Sequence, residues 1–493
     1  MGNLSKFEAI IFDVGNTLLE QRFYDSDKTK VSLLSGVAEL LRELQGKYRL
    51  GVVSNSKVFD SSSIKNKLKE SGISEYFEVF VSSLDVGEEK PSPKPLRVAL
   101  EKMNIESENV LYVGDNEIDR LAAKAAGMKF LFTSRDIRES FLDYEISSDS
   151  AWQRGLGKKI KIFPDVADQV RLHLDSRAKP KGSLGRLEEL AIQISNITGD
   201  VPRIDPAGAA IFVADHGIAA DNSVTPWPQA ITANMADLIV DGSAGVSVIA
   251  RNSDVYLEVI NLGTTSDTNS PKVRNENISP GTLDFRNGPA MSESQLYQAL
   301  ETGAMTAERL IAGGSRSICV GEVGIGNTTA SAILIAKLCG VSAAEVTGRG
   351  SGIPDEVFES KLRVVSDQIS KLVSKDDPLI LLCSFGGYEI AAMVGLILRS
   401  ASLNVPVVLD GVSTLAAALL AVAFKPEVRS AILLGHISSE PASKIAAGKL
   451  QLEPILDLEL RLGEGTGAIL SIPIIRAACR LHSEMSPLSD VVK

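Results

Sequence analysis

Cysteine is scarce in this chain: four residues among 493, at Cys319, Cys339, Cys383 and Cys479. They stand far apart in apolar surroundings, which argues against a disulfide framework or a zinc site and fits reduced thiols packed in a core. Positive charge is also short. Lys and Arg number 51 against 62 Asp and Glu, for a formal charge of -11. Such a chain offers no basic field to draw in polyanions, so neither nucleic acid nor an anionic membrane is an expected partner. Small anions remain within reach of local charge. Uninterrupted apolar runs of about 18 residues, the length needed to cross a bilayer, are missing too; even Val405 to Phe424 is broken by Asp410-Gly411. A strand expected from about Ala9 leaves no room for a signal peptide, and Lys6 stands where a myristoylation site wants Ser or Thr. The expected location is cytoplasmic. No internal repeat or low-complexity tract is found.

What is present describes a soluble globular protein: 44% hydrophobic and 23% charged residues in a chain too long for one core. Short apolar runs alternate with amphipathic stretches, the pattern of mostly parallel sheets flanked by helices, hence the α/β class. In the first part the runs are Ala9–Phe12, Val37–Leu44, Leu50–Val53, Phe77–Val81, Leu96–Met103 and Val110–Val113. After Phe132 the pattern decays into a polar and then basic stretch, predicting a domain over 1–146, a linker over 147–163 and a second domain over 164–493. In the second, Ala209–Val213, Tyr256–Val259, Ser317–Val320, Leu379–Cys383, Val405–Leu409 and Ala431–Leu434 read as buried strands leading to glycine-bearing loops. Ligands of open parallel sheets gather at such strand ends.

The first domain carries F-D-V-G-N-T-L-L from Phe12, V-V-S-N-S with Ser54, E-K-P-S-P with Lys90, and Y-V-G-D-N-E-I-D with Asp115 and Asp119, each read as ending a strand. In this order they resemble the haloacid dehalogenase superfamily over about residues 7 to 133. The resemblance implies a hydrolase-like domain in which Asp13 attacks phosphorus while Ser54 and Lys90 hold phosphate oxygens. The intervals from Leu19 to Ser54 and from Ser54 to Lys90, about 35 residues each, are too short for a sizeable cap domain, so the domain is expected to be uncapped. Asp13, the carbonyl of Gly15 and Asp115 would bind magnesium, with Asp119 behind them. A carboxylate can attack a phosphate dianion only if cations cancel their repulsion, so the residue types suit the chemistry. One departure matters: the family's phosphatases place a second Asp, the general acid, where this chain has Gly15. Losing a general acid costs about 10²–10⁴-fold, which leaves open a slow phosphatase, another hydrolase, or a docking module.

The second domain runs through K-P-K-G-S-L-G-R-L-E-E-L from Lys179, V-A-D-H-G-I from Val213, T-P-W-P-Q from Thr225, G-S-A-G-V-S-V-I-A from Gly242, G-E-V-G-I-G-N-T-T from Gly321, T-G-R-G-S-G from Thr347, F-G-G-Y-E-I-A-A-M from Phe385, L-D-G-V-S-T from Leu409, G-H-I-S-S-E-P from Gly435 and L-R-L-G-E-G-T-G ending at Gly467. Glu464 sits among three glycines, and the loop at Glu322 leads into a helix, as a phosphate grip would. This stretch resembles the nicotinate-nucleotide:dimethylbenzimidazole phosphoribosyltransferases. The resemblance implies transfer of phosphoribose from nicotinate mononucleotide to 5,6-dimethylbenzimidazole, giving α-ribazole 5'-phosphate and nicotinate for the lower ligand of cobalamin. It also implies a homodimer, no cofactor for the transfer, and a small helical part drawn from both ends of the domain.

On that reading Glu464 is the base that takes the azole proton, and Glu322 is a second carboxylate that orients the base or stabilises the cationic ribose. Gly324, Gly326, Asn327, Thr328 and Thr329 face the nucleotide, with Arg349, Gly350 and Lys361 near its phosphate. Trp227, Pro228 and Leu462 form a flat apolar slot for the acceptor. Plainer readings stand beside these: Glu464 as a helix-capping acid, Glu322 as a partner of Arg349 or Arg316, His216 and His436 as hydrogen-bonding loop residues, Asp215 and Asp410 as loop braces. Departures from the family are a shortened L-D-G-V-S-T loop and Ile437 where arginine is common. The alternatives are a transferase for a different base with a non-catalytic docking N-terminal domain or, from another class, a nucleotide or benzimidazole sensor.

Overall fold

Among the described residues of the N-terminal part the strands are β1 (Ala9–Phe12), β2 (Leu19–Glu20), β3 (Ser32–Leu33), β4 (Arg49–Ser54), β5 (Val79–Ser82), β6 (Val110–Gly114) and β7 (Lys129–Phe132). Five of them form one parallel sheet in the order β5-β4-β1-β6-β7, while β2 and β3 make a separate antiparallel pair. The computed structural model describes residues 3–20, 32–133, 136–146, 150–350, 352–371 and 377–491. Within it the chain divides into two units, residues 1–158 with 308–314 and residues 159–307 with 315–493.

In unit 1 the period-2 alternation of β1 sends Ile10 and Phe12 into a core with Val37, Leu40 and Leu41, and Ala9 and Ile11 into another with Leu96 and Ala99. Both sheet faces are therefore covered by helices. The order of strands reverses between β1 and β6, and in open parallel sheets ligands gather at the carboxyl ends of strands at such a point. Asp13 follows β1 and Asp115 follows β6 directly. Lys90 does not end a strand: it lies past β5 and the short helix Ser83–Val86. Inside the segment expected to be a linker, Ala151–Gly157 is a helix with Trp152 and Arg154 buried. Its few apolar positions were masked by polar and basic flanks. Ser147 to Asp149 and residues 21–31, the latter within the interval expected to be too short for a cap, lie outside the described residues.

Unit 2 is built on β8 (Ala207–Ala214), β9 (Val255–Gly263), β10 (Arg274–Asn275), β11 (Ser317–Val323), β12 (Val407–Leu409), β13 (Ile432–His436) and β14 (Pro454–Leu456). They form one parallel sheet in the order β10-β9-β8-β11-β12-β13-β14. Every residue of β8 and β11 is buried, as expected for central strands covered on both faces. Here the order reverses between β8 and β11. Helices Pro164–Asp175, Arg186–Thr198 and Thr466–Glu484 pack on one another, joining the two ends of the unit.

The run Leu379–Cys383, expected to be a strand, is instead part of the helix Pro378–Phe385. Its cause is local: Asp377 accepts hydrogen bonds from the backbone N–H groups of Leu379 and Ile380, and Pro378 occupies the first turn. Among the described residues one stretch, Ala230–Asn252, has the length and composition of a membrane span, but the chain turns within it between the helices Ala230–Val240 and Gly245–Asn252. All four cysteines are free thiols, Cys319 and Cys479 buried and the other two half-buried.

Candidate active site

A cavity of about 220 Å³ opens at the carboxyl edge of β11, β12 and β13. Its floor depends on a close approach of backbones. A Cβ at Gly321 would collide with the Gly465 nitrogen, so only glycine lets the turn Gly463-Glu464-Gly465 rest on β11. There the Glu464 N–H donates to the Glu322 carbonyl at 3.2 Å, and Glu464 adopts a left-handed φ of 63°. Both side chains line the same cavity.

Burial pushes the Glu322 carboxyl up to about 8, with the charges of Glu389 and Asp410 adding to the effect. Its oxygens accept from the Asn327 amide and the Ser413 hydroxyl. Arg349 is not its partner, being held by Asp355 at 2.5 Å. Burial, and then the charge of Asp410, raise Glu464 to about 7. One of its oxygens meets the Val246 N–H, and Oε2 is buried without a protein partner. Glu464 is not the acid that caps the following helix, Thr466–Glu484. That is Asp410, whose carboxylate takes the N–H groups of Gly465, Gly467 and Ala468.

The opposite wall is polar. Gly324 and Gly326 lead into the helix Asn327–Cys339, whose first residues Asn327, Thr328 and Thr329 also line the cavity. Gly326 has a φ of 101°, and a Cβ there would press on the Cβ of His216 at 3.1 Å. Lys361, 2% exposed, donates to Thr328 Oγ1 at 2.9 Å and to the Gly348 carbonyl at 3.0 Å, and burial brings its ammonium down to about 8. The Gly350 N–H donates to Glu440 at 2.8 Å. Arg349 lies over the Phe358 ring. At the rim stand Trp227 and Leu462, 44% and 60% exposed. Pro228 is exposed and is not among the lining residues; Ile231 and Met235 from the next helix line the wall instead. A reading of T-P-W-P-Q alone stopped short of them, although their i, i+4 spacing points one helical face inward.

The histidines keep to hydrogen bonding. His216 Nε2 pairs with Glu389 at 2.7 Å in a fully buried contact, and His436 Nε2 accepts the N–H of Leu458 at 3.1 Å. Asp215 accepts from the backbone and hydroxyl of Thr265. Ile437 is buried and donates its N–H to the Leu456 carbonyl, while its neighbours His436 and Ser438 line the cavity. Glu440, missed as a site residue, stands at the end of G-H-I-S-S-E just before Pro441. Its only signal in the sequence was that position.

Unit 1 gathers Asp13, Asp115 and Asp119 so that one ligand atom of each lies within 4.8 Å of the others. Lys90 is buried among them, its ammonium 2.6 Å from Asp13, 2.5 Å from Asp119 and 2.8 Å from the Tyr112 hydroxyl. Burial raises Asp13 to about 6 and Asp115 to about 7, and their mutual repulsion with Asp119 adds to both. Three carboxylates facing one ammonium leave net negative charge, so this donor set fits a hard divalent cation with oxygen ligands. Asp119 is also tied to the Asn116 N–H in a capping box at the helix Glu117–Ala126. Gly15 bridges to Leu19 beside the cluster, and Ser54 lies half-buried at the end of β4.

An open parallel sheet with two buried carboxylates and a glycine wall backed by Lys361 at the carboxyl ends of its strands is the ligand-site geometry of α/β enzymes. Residues 161–491 match the family model described as phosphoribosyltransferase, and the chain belongs to that family. Nicotinate-nucleotide–dimethylbenzimidazole phosphoribosyltransferases from Pseudomonas putida and Halalkalibacterium halodurans are 40% and 37% identical over 66% and 67% of this chain, and 93% of each relative is covered. The crystal structure of CobT from Thermus thermophilus aligns with a TM-score of 0.64 at 35% identity, covering 67% of this chain and 99% of that one. Residues 10–133 match the haloacid dehalogenase-like hydrolase family, so the chain also carries a domain of that type.

Proposed function

We propose that unit 2 transfers phosphoribose from nicotinate mononucleotide to 5,6-dimethylbenzimidazole, yielding α-ribazole 5'-phosphate and nicotinate. The observation that carries this reading is the backbone clasp holding Glu464 beside Glu322 in one cavity. Departure of nicotinate discharges its pyridinium, so the leaving group needs no acid. The incoming azole must lose its N–H proton as it bonds to the anomeric carbon, and attack opposite the leaving ring inverts β to α. Glu464, raised to about 7 and with an unpartnered oxygen, is the proton acceptor. Glu322, raised to about 8, keeps its proton near neutrality and is placed to donate a hydrogen bond. Lys361, Thr328, Gly350 and Arg349 receive the phosphate, with Gly324, Gly326, Asn327 and Thr329 around the ribose. Trp227 and Leu462 bracket the acceptor ring.

The test is product analysis after mixing nicotinate mononucleotide, dimethylbenzimidazole and protein. Glu464→Gln should lower kcat by at least about 100-fold while the base still binds; unchanged turnover rules out the assigned base. In the wild type, kcat/KM should fall about tenfold per pH unit below about 7, as the base takes up its proton. The same reading makes the active form a cytoplasmic homodimer, to be checked by light scattering.

For unit 1 the reading is a magnesium-dependent phosphohydrolase that removes the phosphate of unit 2's product. Asp13, Asp115 and the Gly15 carbonyl would hold the ion, which would offset the charge of nucleophile and phosphate. Ser54 and Lys90 would hold phosphate oxygens, and Asp13 would attack phosphorus. Gly15 supplies no acid for the leaving alkoxide, so this step should be slow. Adding magnesium to the same mixture should release free α-ribazole, and Asp13→Asn should stop that release alone. Product that remains fully phosphorylated in the wild type would instead favour a docking role.

A further inference from the structure

The base of the transfer stands on a strained turn, and what secures that turn comes from another strand. Asp410 follows β12, and both of its oxygens are committed to the chain just after Glu464: Oδ2 to the Gly465 N–H at 3.1 Å, Oδ1 to Gly467 at 2.6 Å and Ala468 at 3.3 Å. Asp410 is itself fixed, since its N–H donates to Thr414 Oγ1 at 3.0 Å and that hydroxyl donates to the Gly411 carbonyl at 2.9 Å. Gly467 has no room for a side chain, because a Cβ would lie 2.8 Å from Asp410 Oδ1 and would collide with the His436 Cβ. A helix cap needs one such bond; three charge-assisted bonds from a residue 5% exposed exceed that need.

We propose that Asp410 is a positioning residue for phosphoribosyl transfer, which latches the turn carrying Glu464 to β12 and keeps a negative charge beside the base. This rests on the assignment of Glu464 as base. Other titratable groups around the cavity are Glu322, His436, Lys361, Arg349, Glu440 and Arg461. Asp410 is the one whose side chain takes the backbone N–H groups that follow Glu464. After burial, its charge is also the cause of the raised proton affinity of Glu464. Burial raises Asp410 itself to about 6, so its charge is present above that pH, where replacing it by a neutral residue should make Glu464 give up its proton at lower pH.

The test compares Asp410→Asn and Asp410→Glu with wild type, using nicotinate mononucleotide and dimethylbenzimidazole between pH 5 and 9, after circular dichroism shows each variant folded. Asparagine keeps the shape but sets an amide N–H₂ against a backbone N–H; glutamate keeps the charge but moves the oxygens. Both should lose about 10- to 100-fold in kcat, the scale of a misplaced catalytic group, with KM for the acceptor changed less than about threefold. Only Asp410→Asn should move the acid limb of kcat/KM, by at least about half a pH unit toward acid. If asparagine prevents folding, the glutamate variant decides through its rate and its unmoved limb. Rates within twofold of wild type in the folded variants, or a rate loss in Asp410→Asn with no shift of the limb, overturn the proposal. Glu464→Gln run in parallel separates the premise: if it keeps full turnover, the assigned base is wrong, whatever Asp410 does.

Discussion

Glu322 and Glu464 line one cavity, and burial is the first cause of the raised proton affinity of both. Glu322 carries a cost in stability that follows from its shift. Its carboxyl ordinarily titrates at 4.5 and in the folded chain at about 8, so between those values the folded state holds a proton that the unfolded state has lost. Stability therefore falls as pH rises from 4.5 through 8, by on the order of 4–5 kcal/mol if the whole shift is expressed. Glu322→Gln, which keeps an acceptor for Asn327, should flatten the pH dependence of the thermal midpoint and raise it above that of wild type beyond pH 8. A variant curve parallel to wild type would show that Glu322 does not ionise there. Glu322 and Glu464 were both legible in the sequence because glycines crowd them. Asp410 was read only as a brace, since nothing in L-D-G-V-S-T reveals which distant N–H groups it will meet.

Among the elements, strands with both faces buried were legible as continuous apolar runs, and β8, β11, β12 and β13 formed close to their expected positions. The strand β9 also formed in place, but Tyr256–Val259 is not the buried run expected, since Tyr256 is exposed and Leu257 and Glu258 are half-buried. Leu379–Cys383 shows where that signal fails. Five apolar residues look alike in a buried strand and a buried helix, and the deciding information lay just outside the run, in Asp377 and Pro378. That cap is testable: Asp377→Ala removes both side-chain acceptances and should destabilise unit 2 by about 1 kcal/mol in urea unfolding, with little effect on KM for the nucleotide. The helix Ala151–Gly157 escaped for the converse reason, because a short apolar face was flanked by polar residues on one side and lysines on the other. Loop geometry was least legible, as Pro228 and Glu440 show: whether a residue beside a motif faces the cavity depends on packing from other elements.

At the scale of the whole chain, two families share one polypeptide, and each unit has its own sheet and its own group of buried charged side chains. If each group binds as proposed, magnesium and nucleotide should act on different units. In scanning calorimetry, magnesium should raise the transition that reports unit 1 and nicotinate mononucleotide the one that reports unit 2, each by the mass action of binding to the native form. Asp13→Asn should abolish the first shift and spare the second. Equal shifts in the variant and the wild type would remove the metal from the Asp13 cluster.

Gly321 gives the transferase a further property. With bare backbone of β11 lying against bare backbone at Gly465, the spacing of the two acids is a matter of main-chain contact, and no choice of neighbouring side chain can widen it gradually. If the acceptor binds as proposed, change of acceptor should come more readily at the exposed rim, Trp227 and Leu462, than at this floor. Libraries that randomise the rim should yield new base preferences at preserved turnover, whereas those that touch position 321 should return mostly inactive clones.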